Sequence, residues 1–192
     1  MTIADKVRTL LKQRPYVLEA LEQDIANQSA LSKKIASELK LTNLIATKAA
    51  VHRFADELRK QKKKREEGVL KVLRQSTISI EDGLRVVVSS KPVDHNAKVA
   101  VGLDNVFVYL MSKSSAIAKS RLLLTHEPCG TFVLTSPPLI EETPGVVSYL
   151  TAILAEQGIN VIEFVSCYTK TLIVVDREDI SRTYEILSSV TK

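Results

Sequence analysis

The sequence predicts an α+β protein in which a basic, helical part precedes a strand-rich remainder. Three observations lead to this prediction. Residues 1–67 hold 15 Lys and Arg against 9 Asp and Glu, whereas the rest of the 192-residue chain holds 12 against 13. Apolar residues recur at helical spacing in the first third, and β-branched residues alternate in the middle. Residues 131–175 then show a strand, a helix and a second strand in succession.

The composition is typical of an ordered, globular protein. Hydrophobic residues make up 45% of the chain, which has only six Gly and six Pro. No apolar run approaches the ~18 residues that cross a bilayer, and the N-terminus lacks the pattern of a signal peptide. The two cysteines do not form a disulfide framework. We therefore expect a cytoplasmic protein with reduced thiols and no membrane partner.

The first third predicts a series of helices. Residues 6–12 and 15–23 are two short ones, a third begins at Ser29, and a fourth runs from about Leu44 into the charged run 60–67. Residues 30–58 resemble a helix-turn-helix, and residues 6–60 resemble a small trihelical DNA-binding domain. Lys40 stands where the turn of that motif commonly carries Gly.

This resemblance implies a set of contacts with the groove and the phosphates of double-stranded DNA. They are Lys33, Lys34, Thr42, Asn43, Thr47, Lys48, His52 and Arg53. The run 60–65 adds cations that are suited to phosphate contacts, which dominate the affinity of such proteins. The alternative is a basic helical bundle that docks onto another protein or forms part of a dimer.

The middle region, residues 68–130, is predicted to be rich in strands. Strands are expected at 72–80, 84–89, 98–101, 105–111 and 117–124, with a short helix as the alternative for the last of these. Asp82-Gly83 is expected to be a hairpin turn and 90–96 a loop. The region contains no Gly-rich phosphate loop, metal-ligand spacing or nucleophile elbow.

The sequence does not indicate an enzyme, a metal or a cofactor. His52, His95 and His126 are scattered, and His126 with Cys129 forms a lone H-x-x-C that is more often a turn than a metal site. Cys167 is expected to be a small core or interface residue. The adjacent Glu141 and Glu142 would point to opposite faces of a strand, which makes them poor acid–base partners.

The boundaries of the helix in the last third carry their own signals. Thr143 is a suitable N-cap, Pro144 suits the first helical turn, and Gly158 supplies the left-handed residue that ends a helix. One face of the predicted helix is apolar: Val146, Tyr149, Leu150, Ile153 and Leu154.

Residues 131–190 resemble the ACT domain, a small-molecule-sensing module of amino-acid metabolism. The stretches that carry the resemblance are Glu142-Thr-Pro-Gly-Val, Leu154-Ala-Glu-Gln-Gly-Ile-Asn-Val and Ser166-Cys-Tyr-Thr-Lys-Thr-Leu-Ile-Val-Val. With Ser136-Pro-Pro-Leu, the pattern is most similar to the ACT repeats of aspartate kinases and of arginine-sensing proteins. The resemblance implies a ferredoxin-like βαββαβ sandwich that pairs with a second copy, as a homodimer or a higher homo-oligomer.

The resemblance also implies an amino-acid site at the interface of such a pair. The matching positions are Glu142, Thr143, Gly145, Val146 and Asn160. Amides at the helix start suit a carboxylate, and Glu142 or Asn160 suits an ammonium or polar group. Serine-sensing relatives have His and Asn where this chain has Ile140 and Glu142, so the identity of the ligand stays open. The alternative is an ACT domain that serves only as a dimer interface.

The chain ends before the last strand of the βαββαβ pattern. Because an unpaired sheet edge is a liability, we expect an upstream segment to fill that place, with residues 106–111 or 117–124 as the candidates. The middle region would then be a degenerate ACT-like half of a tandem or pseudo-tandem arrangement. The predicted domains are thus 1–67, which is basic and helical and ends in the charged run 60–67 as a linker, 68–130 and 131–192.

Two functions remain open at this stage. The first is a transcription regulator that senses an amino acid and binds DNA through its N-terminal domain. The second is a regulatory or interaction protein that senses an amino acid and acts on a metabolic enzyme through those helices.

Overall fold

A computed structural model describes residues 1–93, 96–115, 117 and 122–192. The chain divides into two compact units, residues 1–67 and residues 68–192. His95, which the sequence analysis considered as a site residue, and part of the predicted strand 117–124 lie outside the described residues.

The first unit contains four helices, as the sequence predicts, and not the three of a trihelical domain. They are α1 (Ile3–Lys12), α2 (Pro15–Glu22), α3 (Gln28–Glu38) and α4 (Leu44–Leu73). Thr2 and Asp5 form a capping box at the start of α1. Asn27, not Ser29, caps α3, because its side chain accepts the N–H of Ala30 at 3.0 Å. The helices enclose a core of Val7, Leu11, Leu21, Ile35, Ala50, Val51, Phe54 and Ala55.

A left-handed residue makes the turn between α3 and α4. Lys40 has φ 51°, and the N–H of Leu41 donates to the carbonyl of Ala36 at 2.8 Å, as in a Schellman motif. Asn43 then accepts the N–H of Ala46 at 2.9 Å and caps α4. The position where Gly is common therefore has the backbone that Gly favours, although the residue is Lys.

The prediction for the end of α4 is wrong in two respects. The charged run 60–67 is not a linker, because α4 continues through it to Leu73. Val72 and Leu73 therefore belong to a helix and not to a strand, and the strand begins at Thr77. Both side chains are fully buried in the core of the second unit, and this burial outweighs the lower helix propensity of β-branched Val.

The second unit contains two antiparallel four-stranded sheets. Sheet A consists of β1 (Thr77–Glu81), β6 (Cys129–Thr135), β7 (Val161–Cys167) and β8 (Lys170–Asp176), in the order β1-β6-β8-β7. Sheet B consists of β2 (Leu84–Ser89), β3 (Val99–Leu103), β4 (Val106–Ser112) and β5 (Leu122–His126), in the order β3-β4-β2-β5.

An upstream strand does complete sheet A, but it is not one of the segments that we expected. Thr77–Glu81 pairs with β6, with Thr77 opposite Thr135 and Glu81 opposite Thr131. Residues 106–112 pair instead within sheet B. Because β1 precedes β6 in the chain, the fourth strand of the βαββαβ order is supplied from before the first.

Sheet B repeats the strand order of sheet A. If its strands are numbered along the chain, their order across the sheet is 4-1-3-2, which is also the order in sheet A with β1 as the fourth strand. Among the described residues, the β2–β3 and β4–β5 connections contain no helix. Their place in the order is that of the two helical connections of sheet A.

Asp82-Gly83 is not a hairpin turn. Gly83 has the left-handed φ of 76° that such a turn requires, but β1 and β2 belong to different sheets. The same two residues therefore carry the chain from sheet A into sheet B.

Helices cover one face of sheet A. The helices α5 (Val146–Glu156) and α6 (Ile180–Val190) pack there with the end of α4. All five apolar residues predicted on the α5 face join this cluster, and Gly158, at φ 73°, follows the end of the helix as predicted. Gly130 brings α6 very close, since a Cβ at that position would lie 2.3 Å from Cγ1 of Ile180.

Sheet B covers the other face of sheet A. The shared core between the sheets consists of Val86, Leu110, Cys129, Val133, Leu172 and Val174. Residues of β6 and β8 thus alternate between the helical side and the side of sheet B, so that both faces of sheet A are buried. No helix in the described part of the chain has both the length and the apolar character required to span a membrane.

Candidate functional site

The segment before α5 differs from its predicted form. Residues 138–142 form a short 3-10 helix, and the hydroxyl of Thr143 donates back to the carbonyl of Leu139 at 2.8 Å. The N-cap of α5 is Gly145 at φ 99°, not Thr143, and Pro144 lies outside the helix. The αL conformation of Gly145 turns the chain into α5, which a residue with a Cβ does only with strain.

The start of α5 presents backbone N–H groups that have no side-chain cap. The first helical bond runs from the N–H of Tyr149 to the carbonyl of Gly145, at 2.8 Å, so that the amides of residues 146–148 precede the hydrogen-bonded ladder. Glu142 and Gly145 are exposed beside them, and Val146 is buried. Val146 therefore contributes its amide, and its side chain packs into the core. Such an end attracts a carboxylate.

Asn160 lies at the far end of α5. The helix has 11 residues, which corresponds to about 16 Å of rise, and Asn160 is exposed directly after its C-terminus. β6 and β7 both pair antiparallel with β8, and Thr135 and Cys167 face Lys170 at one end of the sheet. Glu142, Thr143, Gly145 and Val146 follow β6 at that end, whereas Asn160 precedes β7 at the opposite end. One chain therefore holds the predicted ligand residues as two separate half-sites.

The predicted DNA contacts of the first unit are exposed with one clear exception. Thr47 is fully buried, and its hydroxyl donates to the carbonyl of Asn43 at 2.9 Å, so it does not face a groove. Lys48 is half-buried. The others are exposed on α3, in the turn and on α4: Lys33, Lys34, Thr42, Asn43, His52 and Arg53.

Ion pairs within the first unit neutralise part of its positive charge. Arg14 pairs with Glu38 and holds the pKa of that carboxyl below its usual value. Arg65, which we expected to contact phosphate, pairs with Glu22 at 3.2 Å, and Lys62 lies 3.8 Å from Glu66. In this fully described unit, none of the predicted contacts Lys33, Lys34, Lys48 and Arg53 is in an ion pair.

The remaining candidate residues are placed as follows. Among them, no three His, Cys, Asp or Glu are placed to hold a metal ion. Cys129 is buried, which raises the pKa of its thiol. Cys167 is the last residue of β7 and is exposed, so it is not a core residue, and the expected alternative of an interface residue stays a prediction. Glu141 and Glu142 lie in the 3-10 helix and not in a strand.

Sequence reasoning missed Glu163, which lies in β7 shortly after Asn160. Burial raises the pKa of its carboxyl, and the charge of His126 counteracts that effect. The sequence did contain a signal for this residue, because Glu163 is the single acidic residue inside the apolar run Val161-Ile-Glu-Phe-Val.

Comparisons with known proteins show similarity in fold and in one segment of the sequence. A search of curated proteins found no match. Among solved structures, the chain is similar to a protein of unknown function from Vibrio cholerae, described as a possible transport protein (TM-score 0.51, 14% identity, 66% of this chain and 98% of that chain). It is also similar to an Agobacterium tumefaciens protein (0.50, 17%, 61% and 90%).

A third similar structure is the aspartate kinase of Clostridium acetobutylicum, an allosteric enzyme (TM-score 0.51, 7% identity, 60% of this chain). The chain spans 34% of that enzyme, and at such identities the likeness shows the fold alone. Residues 124–189 match the family model of the ACT domain, so the resemblance seen in the sequence is confirmed for this segment.

Proposed function

We propose that the protein is a non-catalytic regulator that senses an amino acid through its second unit. The observation that carries this proposal is the uncapped start of α5, placed within a segment that matches the ACT domain. Amides of residues 146–148 bind the α-carboxylate, and the dipole of α5 favours the negative charge. The exposed Glu142 beside them is suited to a positively charged or polar group of the ligand.

The complete site requires two copies of the chain. Asn160 is about 16 Å from the start of its own α5, too far to contact a ligand held there. A two-fold pair supports a common site if Asn160 of one copy meets the Glu142 end of the other, because an isologous interface brings unlike residues together twice. Sheet B, whose connections contain no helix among the described residues, acts in this proposal as the degenerate half of a pseudo-tandem arrangement.

Thermal unfolding of the full chain with each of the twenty amino acids tests the sensing role. The correct ligand at 100 times its Kd stabilises the folded chain by about 2.7 kcal/mol and raises Tm. Glu142→Gln should weaken this response, while Glu185→Gln, an exposed carboxylate on α6, should leave it unchanged. If no amino acid raises Tm, the segment is an interface and not a sensor.

The first unit is proposed to bind an anionic partner, with double-stranded DNA as the first candidate. Its support is the net charge of +6 in residues 1–67, together with exposed cations that remain outside ion pairs on α3. Fluorescence anisotropy of the full chain with a mixed-sequence duplex should show binding that weakens steeply with salt. The double variant Lys33→Gln/Lys34→Gln should reduce the slope, and Lys6→Gln on the exposed side of α1 should reduce it less.

A protein partner is the second candidate for this unit. Ile45 and Tyr16 are 82% and 84% exposed there, and exposed large apolar side chains are more typical of protein interfaces than of phosphate contacts. Absence of duplex binding at low salt would favour this candidate and would leave the sensing role of the second unit unaffected.

A further inference from the structure

A cavity of about 190 Å³ lies between the two sheets. Its wall is formed by apolar residues of β2, β3, β4, β7 and β8, and it includes Val99, Val165, Leu172 and Val174. An engineered apolar cavity of ~150 Å³ in another protein binds benzene. The space between the sheets is therefore sufficient for a ring or a branched alkyl group.

The mouth of the cavity is not closed by the protein. Val101 and Leu103 of β3 line the cavity and are 39% and 70% exposed. β3 and β7 are the edge strands of their sheets, and both contribute to the lining. Solvent-exposed apolar side chains thus continue into a partly enclosed apolar space, which is the usual form of a small-molecule site.

Glu163 is the only charged residue among the described residues that line this cavity. A β-bulge puts it there, because Val161 pairs with Val175 while Glu163 pairs with Val174. Paired residues share a face, so Glu163 points with Val174 toward sheet B. In a regular strand Glu163 would share the face of Val161, which packs against the helices. The bulge therefore moves a carboxylate out of the helical core and into the cavity wall.

The carboxylate of Glu163 has little compensation from the protein. Among the described residues, no Lys or Arg pairs with it. His126 on β5 is the group whose charge partly offsets its burial. A partly buried carboxylate in an apolar wall is stabilised by any cation that reaches it.

We propose that the cavity between the sheets binds a small primary amine with a compact apolar body, whose ammonium group pairs with Glu163. The apolar wall accepts the alkyl or ring portion, and the carboxylate accepts charge-assisted hydrogen bonds from the ammonium. An amino acid fits poorly, because its α-carboxylate would lie beside Glu163 and find no cationic partner in the described lining. This site is distinct from the start of α5, and its ligand is of a different charge type.

Isothermal titration of the full chain with three probes of the same alkyl group tests the proposal. Isoamylamine should bind at least about tenfold more tightly than isoamyl alcohol, since hydrogen bonds to a charged group are the stronger class. Leucine should not compete with isoamylamine. NMR shifts of the Val99 and Val174 methyl groups should follow the amine titration and locate it in the cavity.

Glu163→Gln keeps the shape of the side chain and should remove the preference for the amine over the alcohol. Val101→Phe should weaken both probes by narrowing the mouth, and Glu185→Gln should change neither. Equal binding of amine and alcohol to the unaltered chain would overturn the proposal, as would amine binding that persists in Glu163→Gln. An unchanged thermal response of Glu163→Gln to amino acids would show that the α5 site is separate.

Discussion

At the scale of single residues, Glu163 shows how one partly buried carboxylate affects both the stability of the fold and the ligand preference of a cavity. Its pKa is raised above the ordinary 4.5, because burial disfavours the charged form. The folded chain therefore holds the proton of this carboxyl more tightly than the unfolded chain does. Its favourable contribution is complete below 4.5 and is lost as the pH rises through the folded-state pKa.

Glu163→Gln should therefore raise Tm at about pH 7, because it removes a partly buried charge. The gain should shrink as the pH falls through the folded-state pKa and should be gone below the ordinary 4.5, since the unaltered chain is then neutral at this position as well. Thermal melts of both chains across this pH range provide the measurement, and a Tm difference independent of pH would contradict the explanation.

Lys40 carries local strain in the turn between α3 and α4. A non-glycine residue at φ 51° is disfavoured by contact of its Cβ with the backbone. Lys40→Gly should stabilise the protein by about 0.5–1 kcal/mol, because the relief exceeds the extra entropy that Gly gains in the unfolded chain. The matched control is Lys34→Gly within α3, which should destabilise by about 1 kcal/mol. Urea unfolding of both variants distinguishes the two signs.

At the scale of elements, α6 approaches β6 closely at Gly130. The missing side chain of Gly130 makes room for Ile180, whose Cγ1 and Cδ1 lie 2.3 Å and 2.6 Å from the position of an added Cβ. Gly130→Ala should destabilise by about 1–3 kcal/mol through overpacking. In an Ile180→Ala background the same change should cost much less, which a double-mutant cycle measures.

Gly68→Ala is the control for this prediction. Gly68 lies within α4, and an added Cβ there meets only Thr143 Cγ2 at an ordinary 3.6 Å. Replacement of a helical Gly by Ala should stabilise by about 0.5–1 kcal/mol. If both substitutions destabilise alike, then the contact with Ile180 is not the cause.

Elements with strong local chemistry could be predicted from the sequence. The end of α5 at Gly158 and the apolar face of that helix depend only on nearby residues, and both are as predicted. The prediction of a hairpin at Asp82-Gly83 was wrong, because a left-handed turn residue suits a change of sheet as well as a hairpin. Only long-range strand pairing decides between the two. The orientation of Glu163 depends on a β-bulge that the residue types of β7 do not indicate, so it could not be predicted from the sequence.

The completion of sheet A was predictable in principle but not in detail. The edge of β6 that does not pair with β8 requires a partner strand. Which upstream segment supplies it depends on the competition between two sheets for five strands, and Thr77–Glu81 lies on the side of the Asp82-Gly83 turn that remains in sheet A.

At the scale of the whole molecule, the two halves of the proposed amino-acid site make an unusual prediction about mixtures. Glu142→Ala and Asn160→Ala should each abolish the thermal response to the ligand identified for the unaltered chain. When equal amounts of the two variants are mixed in the unfolded state and refolded together, heterodimers form. Each heterodimer places one intact Glu142 opposite one intact Asn160. About a quarter of all sites are then complete if copies pair at random.

Isothermal titration of the mixture measures this recovered fraction directly. Each variant alone is the control, and neither should bind. A mixture as inactive as its components would show that the two residues do not share a site across copies.

The position of β1 ahead of sheet B has a consequence for the order in which the chain is made. The four strands of sheet B are contiguous in the sequence, so that sheet can form during synthesis while β1 waits for β6. Val86 at the start of sheet B lies opposite His126 at its end, and the folded sheet therefore holds its entry and exit side by side. It delivers Glu81 and Thr131 to each other as if they were joined by a short loop, which reduces the entropic cost of that closure by roughly 2 kcal/mol. Formation of sheet B thus favours the pairing of β1 with β6 in sheet A.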